Sequence, residues 1–443
     1  LVINSGKTLT GGGYKITIDN ENGSGFAVDN DGIISGNLDL EVNTQATTKL
    51  DLMGTSGNFQ DLKLNHASVN AFLEANTTID GNLTIAAGAL TCTTEAGDAR
   101  TINVAGTTSV TGTFTATSQD VVLGSGLTSG WGLSIQSGGT FVGGSGTHTI
   151  GSIFAAASGT RTITLSGGAT TINSKNTSNG YTINLASGTT FNHGGGTVTM
   201  TYAGDTLNQL SGGTLAFNTF TYNASGRTLE LRSPMSCAGD LTITAGTLDT
   251  KSGTNHALTV AGNTVVDGTL TGNNSTFSFG TNGVHGSTEG GCLLVNSSGT
   301  FTFGSGDVTI FSGFTAKGSE ASPNVTSTGG GDIIIKGRTN NGFMNSHNHH
   351  GTNITGDYII DFDSSGIFDN RGGCTIDCGT YKIMHGGRTY EPWNNSTQAT
   401  FKIIGNMEIS GGTFDTEYSG QDSQHLTVTG HVSVTGTLTG NAS

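Results

Sequence analysis

Proline, cysteine, tryptophan and charged side chains are all scarce in this chain. Among its 443 residues there are 3 Pro, 5 Cys and 2 Trp, and charged residues make up 11%. Disordered chains are rich in charge and proline and poor in β-branched residues, whereas Val, Ile, Thr and Phe recur throughout this sequence. The composition therefore favours a folded chain of strands, in which few prolines interrupt the backbone hydrogen bonds.

Positive charge is the scarcer of the two signs. The chain has 17 Lys and Arg against 32 Asp and Glu, which gives a formal net charge of −15. A nucleic-acid-binding face needs clustered cations, so we expect no nucleic-acid partner. No apolar run approaches the roughly 20 residues that a membrane-spanning helix needs. We therefore expect no membrane insertion.

The five cysteines are too few and too scattered for a disulfide framework. Only Cys374 and Cys378 lie close together in the sequence. On one strand they would share a face about 13 Å apart, which is too far for a disulfide or for shared ligation of one metal ion. The spacing predicts buried, unpaired thiols.

Glycine is abundant, with 73 residues, and it separates short runs of alternating apolar and polar residues. TITLSGGATTI at 162–172 and TINLASGTTF at 182–191 follow one plan, and their anchors Leu165 and Leu185 are 20 residues apart (185 − 165). Alternation places Ile163 and Leu165 on one face and the intervening threonine on the other. Each run therefore predicts a strand with one face buried in the core.

These strands could form a sandwich, a barrel or a solenoid. Sandwiches and barrels need hairpins, but the Asn-Gly and Asp-Gly dipeptides of this chain do not recur with the period. A coil grows by adding turns without exceeding the size of one core. We therefore predict an all-β, parallel β-helix (β-solenoid) with rungs of about 20 residues. About twenty such rungs, spaced by roughly 4.8 Å, would make an elongated rod on the order of 100 Å long.

A longer segment recurs three times. It reads GDLTITAGTLDT at 239–250 and continues as LTVAGNTVVDGTLTGNNS at 258–275, and related copies begin at Gly81 and Gly405. The leading glycines are 158 (239 − 81) and 166 (405 − 239) residues apart, which predicts super-repeats of about 160 residues. One continuous solenoid would comprise a partial super-repeat at 1–80, super-repeats at 81–238 and 239–404, and the start of a further one at 405–443. Because the last copy is cut part-way, we expect a piece of a longer polypeptide.

The repeat is interrupted at 337–395, an irregular insertion where the rarer side chains collect. In IIDFDS, Asp361 and Asp363 would face one side of a strand, nearly 7 Å apart at the backbone. Such a pair is what glycoside hydrolysis requires, so these two are the candidate catalytic residues. The competing interpretation is an acidic outer face, with Ile360 and Phe362 pointing inward.

The same insertion offers candidates for metal and ligand binding. His347, His349 and His350 could bind a transition metal, although HNHH has no recognised zinc spacing and a solvated polar loop explains it as well. The candidates for stacking on a sugar ring are two tryptophans, a tyrosine and an arginine beside it. They are Tyr390, Trp393 and Arg388 in the insertion, and Trp131 elsewhere in the chain. The competing interpretation for Trp393 is a buried anchor for a loop.

The phrases GNLTI, GTLDT, LTVAGN and VSVTGTLTGNAS resemble the Gly/Thr/Ser/Asn-rich β-solenoid repeats of phage virion fibre and decoration proteins, particularly of marine phages, and of bacterial adhesins. The resemblance covers nearly the whole chain outside 337–395. It implies an elongated, often trimeric appendage that attaches to a host or decorates a particle. The matching positions are structural, so the resemblance transfers no catalytic residue.

Together these features predict a structural, non-enzymatic appendage protein of a virion, located on the virion surface or extracellular and without a cofactor. Its expected partners are further copies of itself, in a trimer or another homo-oligomer, other virion structural proteins, and host surface glycans. One alternative is a secreted bacterial surface adhesin. The other is a polysaccharide-degrading tailspike-like enzyme, a glycoside hydrolase or polysaccharide lyase, because several such enzymes are β-helices.

Overall fold

The structure is a computed structural model that describes residues 1–19, 25–45, 47–53, 56–156, 158–173, 180–202, 207–213, 215–282, 292–311, 313–336, 342–345, 349–361, 366–369, 374–384, 389–393, 400–416 and 425–440. These residues form strands joined by turns and bends, with no helix among them. Accordingly, the described part of the chain includes no helix that could cross a bilayer. The chain divides into two compact units, unit 1 at Leu1–Thr219 and unit 2 at Phe220–Ser443.

Unit 1 is a coil in which each turn contributes one strand to each of three parallel sheets. Sheet A contains Val2–Ile3, Gly25–Asn30, Thr47–Leu50, Asn70–Leu73, Ala89–Thr91, Thr113–Thr115, Thr140–Val142, Arg161–Thr164 and Thr189–Asn192. Sheet B begins with the separate pair Thr8–Thr10 and Ile33–Ser35, and single bridges at Ser56 and Phe59 mark the next turn. It continues with Thr77–Ile79, Ile102–Val104, Val121–Leu123, His148–Ile150, Ala169–Ile172 and Thr197–Met200. Sheet C contains Tyr14–Ile18, Leu38–Val42, Leu62–Leu64, Leu83–Ile85, Thr108–Val110, Leu133–Ile135, Ile153–Ala155, Tyr181–Leu185 and Leu207–Ser211. The strand Leu215–Phe217 follows in the chain.

Unit 2 repeats this plan with several long strands that bend around a corner and serve two sheets. Sheet D contains the first parts of Thr219–Leu231 and Leu241–Asp249, then Thr264–Val266, Leu293–Val295 and Phe314–Ala316. Sheet E contains the second parts of the same two long strands, then Thr269–Thr271, Thr300–Phe303, Val325–Ser327, His349–Asn353, the first parts of Cys374–Ile383 and Thr400–Ile409, and His425–Val428.

Two further sheets complete unit 2. Sheet F contains Met235–Cys237, Leu258–Val260, Phe277–Phe279, Val308–Ile310, Ile333–Ile335, Tyr358–Ile360, the second parts of Cys374–Ile383 and Thr400–Ile409, and Val432–Val434. Sheet G contains Gly342–Asn345, Gly366–Asp369, Thr389–Trp393, Thr413–Asp415 and Thr437–Thr439. A small antiparallel hairpin joins Lys251–Ser252 to Thr254–Asn255.

The predicted parallel β-helix is confirmed, and the alternation explains why the strands form. Most three-residue strands bury their first and third side chains and turn the middle one outward, as Leu83–Ile85 does. Ile163 and Leu165 are fully buried, as their spacing predicts. In-register partners on sheets B and C are between 19 (121 − 102) and 30 (183 − 153) residues apart. Longer corner loops account for the longer turns, because the strands themselves stay short.

Corners carry Asp or Asn side chains that accept a hydrogen bond from the backbone of the following turn. In unit 2, Asp357 N donates to Asp332 Oδ1 at 2.8 Å, and Asp332 N donates to Asp307 Oδ1 at 3.1 Å. In unit 1, Thr107 N donates to Asn82 Oδ1 at 2.9 Å. These bonds satisfy corner N–H groups that have left the sheet ladders. They explain why acidic and amide residues recur beside corner glycines.

Aromatic rings stack inside unit 2. Tyr358 and Tyr381 lie 5.6 Å apart between ring centroids at an interplanar angle of 16°, and Tyr381 meets Phe401 edge-on at 5.6 Å. All five cysteines are buried and none forms a disulfide bond, as predicted. Burial raises the pKa of the Cys237 thiol to about 12. The Cys237 thiol is therefore protonated at neutral pH, and the buried cysteines act as small core residues.

The segment that recurs in the sequence does not return to the same face of the coil. Leu241–Ile243 lies on sheet D, but the matching strand end Met407–Ile409 lies on sheet F. Likewise Leu258–Val260 lies on sheet F, whereas its match His425–Val428 lies on sheet E. Within unit 2, the second copy of the motif thus lies on different faces from the first, so equivalent outer residues point in different directions. The super-repeat boundaries themselves stay a prediction.

Candidate functional site

Most of the residues that the sequence singled out in 337–395 lie outside the described residues. Asp363, Arg388 and His347 belong to segments that the structure does not describe. His349 and His350 lie in the strand His349–Asn353 of sheet E, and Tyr390 and Trp393 lie in Thr389–Trp393 of sheet G. Their side chains are likewise outside the described part. The metal and glycan hypotheses for this region therefore stay predictions.

Asp361 follows directly after the strand Tyr358–Ile360, in which Ile360 is fully buried as expected. Its Oδ2 lies 3.5 Å from Lys336 Nζ, and the Asp361 side chain is 27% exposed. An ion pair at a half-exposed site stabilises a fold by about 0–1 kcal/mol. Because Asp363 is not described, the carboxylate separation that would indicate hydrolysis is not defined.

Unit 1 has a groove on the outer surface of sheet B. It has a volume of about 380 Å³ and is lined by neutral polar side chains, three apolar ones and one carboxylate. These include Met53, Asn76, Thr78, Asn103, Asp120 and Val122. The outward residues Thr78, Asn103 and Val122 come from three successive turns and are in register. The coil therefore builds this groove by stacking.

The described lining of the groove presents hydrogen-bonding groups. Asn76 Oδ1 accepts a hydrogen bond from Thr101 N at 3.0 Å, and Asn103 Oδ1 accepts one from Ser125 Oγ at 3.0 Å. Asp120 is the one carboxylate among the described lining residues. Glycoside hydrolysis by either common route needs two carboxyl groups across the scissile bond. The described lining thus suits contact with a neutral hydroxylated ligand.

Trp131 forms a second feature on unit 1, on the outside of sheet C. Its ring stacks on Phe154 with centroids 5.0 Å apart and an interplanar angle of 26°. Both side chains are half-buried. Trp131 is a residue that the sequence proposed for sugar stacking, and the structure places it at the surface of unit 1. The sequence analysis did not propose Phe154 as a ligand-binding residue. The alternating pattern of Ile153–Ala155 predicts that its side chain points outward, but it does not predict the contact with Trp131.

The loop that carries Trp131 is held by backbone contacts on both sides. Gly124 N donates to Val104 O at 2.8 Å, and Ser152 Oγ donates to Gly130 O at 3.0 Å. At Gly132 a Cβ would meet Gly151 N at 2.7 Å, so the backbone passes too close for a side chain. The tryptophan is therefore presented by an ordered corner.

His148 lies inside unit 1, on the strand that follows the groove strands in sheet B. It is fully buried, and its ring meets Phe141 edge-on at 6.0 Å between centroids. Burial lowers its pKa to about 4, and the Asp120 carboxylate and the Gly143 carbonyl oppose this shift. His148 is therefore neutral in the folded state at pH 7.

Comparison with protein-family models, with curated proteins and with solved structures finds no match to this chain. The described residues also contain no cluster of three or more His, Cys, Asp or Glu side chains that could hold a metal ion. Any function must therefore be argued from the solenoid and from the two surface features of unit 1.

Proposed function

We propose that the chain is a structural, non-enzymatic protein of a virion surface, a fibre or decoration protein that serves attachment. The observation that supports this proposal most is the division of the coil into a mainly apolar interior and a mainly polar exterior. In both units the inward side chains of successive turns stack in register, while threonine, serine and asparagine cover the outside. A coil of this kind extends a surface by adding turns, and each turn needs only its neighbours.

The exterior suits contact with other molecules over an area. Its middle-strand positions are mostly neutral, and the chain as a whole carries a net charge of −15. A negative net charge keeps copies of a protein apart in solution and disfavours anionic partners. An attachment protein would therefore meet neutral surfaces, such as uncharged glycans or other structural proteins.

Location provides the test of this proposal. An antibody raised against the recombinant chain would be applied, as a gold conjugate, to purified virus-like particles and to bacterial cells from the same source. We expect gold on the particles and none on cells that carry no particles. Gold on the cell envelope would instead identify the adhesin alternative and overturn the virion assignment.

The enzyme alternative needs a separate measurement. The recombinant chain would be incubated with bacterial surface polysaccharides, and the release of new reducing ends or unsaturated products would be followed. We expect no release above that of heat-inactivated protein. Cleavage that disappears in Asp361→Ala or Asp363→Ala would overturn the non-enzymatic assignment and establish the carboxylate pair as catalytic.

A further inference from the structure

One position on the outside of sheet C breaks the pattern of its neighbours. Phe154 occupies the outward position of the strand Ile153–Ala155, whose first and last side chains are buried. Its in-register partners in the adjacent turns are Ser134 and Asn184. The inward side chains already fill the core, so an outward position such as 154 does not need an apolar side chain, and a small polar residue would be sufficient there. The packing of the coil therefore does not account for an aromatic ring there.

Trp131 adds a second ring to the same place. Its stacking on Phe154, with centroids 5.0 Å apart, uses one face of the indole. Because Trp131 is only half-buried, part of its surface remains in contact with water. An aromatic pair kept on a solvent-facing sheet is a typical element of a binding surface. We call the Trp131–Phe154 pair the aromatic platform.

The platform is rigid and has polar neighbours. The backbone bonds of the loop at Gly124 and Gly130 fix the corner, so binding would cost little ordering entropy. Gln136 Nε2 donates to Ser134 Oγ at 2.7 Å, beside Phe154. Neutral hydroxyl and amide groups therefore lie within a turn of the rings on both sides.

We propose that the aromatic platform binds a neutral polysaccharide, with the apolar face of one pyranose ring against Trp131 and its hydroxyl groups toward the half-buried Gln136 and Asn184. This arrangement matches the amphipathic character of a sugar ring, which has an apolar face and a polar rim. The in-register neighbours carry no charge, and the net charge of −15 disfavours acidic glycans. The inference rests on the proposed attachment function, for which it names the ligand class.

Tryptophan fluorescence gives a direct test, since the chain has 2 Trp. In a full-length Trp393→Phe protein, Trp131 is the sole emitter. It would be titrated with neutral gluco-, manno- and galacto-oligosaccharides, and the heat of binding would be measured in parallel. We expect a saturable change in emission with at least one series. Phe154→Ser in this background should weaken binding at least tenfold, which equals about 1.4 kcal/mol.

Three controls keep the test decisive. Tyr14→Ser removes another aromatic ring from unit 1, one that is 76% exposed, and should leave the affinity unchanged. Trp131→Phe in the otherwise native chain keeps a stacking ring and should bind within a few-fold when measured by heat. Circular dichroism and the urea midpoint would establish that Phe154→Ser is folded.

Several outcomes would overturn the proposal. One is that no neutral oligosaccharide changes the emission or releases heat, and another is that Phe154→Ser binds with the same affinity as its parent. A third is that an acidic oligosaccharide of the same length binds more tightly. The fourth is that the emission changes with protein concentration alone. The last result would identify self-association. If the sugar titration fails but the gold-labelled antibody binds the particles, the virion assignment stands and the sugar-binding proposal falls. If sugar binds but the antibody does not label the particles, the sugar-binding proposal stands and the virion assignment falls.

Discussion

His148 shows how one buried side chain couples unit 1 to pH. Folding lowers its pKa to about 4 because the ring is buried, whereas a histidine in an unfolded chain titrates near 6.5. The unfolded state therefore binds the extra proton first, and the contribution of this residue to stability is complete above pH 6.5. It is lost progressively between pH 6.5 and 4, by up to about 3 kcal/mol.

The prediction is that the urea midpoint of the wild-type chain falls more steeply from pH 7 to pH 4.5 than that of His148→Leu. Tryptophan fluorescence or circular dichroism would follow unfolding at each pH. The exposed His431→Leu serves as the control and should retain the wild-type slope. Equal slopes for wild type and His148→Leu would show that His148 does not cause the acid sensitivity.

Gly144 lies at a corner where both conformation and space demand glycine. Its φ is +64°, and a Cβ there would overlap the carbonyl oxygen of Thr117 in the neighbouring turn. We predict that Gly144→Ala lowers the free energy of unfolding by about 3 kcal/mol or more, since a left-handed conformation and a backbone clash add. Gly6 has φ +73° with no atom near the added Cβ, so Gly6→Ala should cost about 1 kcal/mol. Urea unfolding would measure the free energy of unfolding of both variants. Equal losses in Gly144→Ala and Gly6→Ala would contradict the role of close packing at Gly144.

At the scale of structural elements, Asp307, Asp332 and Asp357 occupy the same corner in three successive turns of unit 2. Each of the first two carboxylates accepts a hydrogen bond from the backbone of the next turn, but the three side chains carry like charges. Burial, together with the charges of Asp357 and Asp307, raises the pKa of the Asp332 carboxyl. A raised pKa in the folded state means that the charged form costs stability at neutral pH, and that this cost disappears as pH falls toward 3.8. Lys382 Nζ offsets part of the charge, at 2.5 Å from Asp357 Oδ2.

We therefore predict that Asp332→Asn is at least as stable as wild type at pH 7. The asparagine keeps the oxygen that accepts from Asp357 N and removes the repulsion, as Asn82 does at an equivalent corner of unit 1. Asp332→Ala loses the acceptor and should cost about 1 kcal/mol. Thermal unfolding at low and high salt would measure both variants. A less stable Asp332→Asn would mean that the charge itself supports this corner.

At the scale of the whole molecule, the five cysteines report on the integrity of both units. They are Cys92, Cys237, Cys292, Cys374 and Cys378. Burial raises the pKa of Cys378 to about 12 and that of Cys374 further, so these two thiols are protonated in the folded chain at neutral pH. We predict that an aromatic disulfide reagent modifies none of the five in the native protein and all five in concentrated urea.

Mass spectrometry of peptides after labelling would assign each reacted thiol. Cys92 reports on unit 1 and the other four on unit 2. Reaction of Cys374 or Cys378 in native protein at the rate of a free thiol would mean that the core of unit 2 opens near sheet E. That result would contradict the burial of Cys374 and Cys378 in the native protein.

The sequence by itself determined the class of fold and the direction of the core side chains. Alternation in runs such as 162–172 has the period of a strand, and glycine marks the corners. Ile163 and Leu165 are buried for this reason. The repetition of such runs predicted a coil. Local chemistry was sufficient because each turn of a solenoid contacts only its neighbours. The turn length was less well predicted, because Ile163 pairs with Phe191, 28 residues on (191 − 163), and Leu185 lies on another sheet.

Only the tertiary structure decided how many faces the coil has and which residues meet across them. Three short strands per turn and corner loops of uneven length move the second copy of the recurring motif in unit 2 to another face, a displacement that no single period encodes. The Trp131–Phe154 contact depends on this winding, since the two residues come from different turns. The pKa of His148 depends on it as well, because burial arises from atoms far away in the sequence.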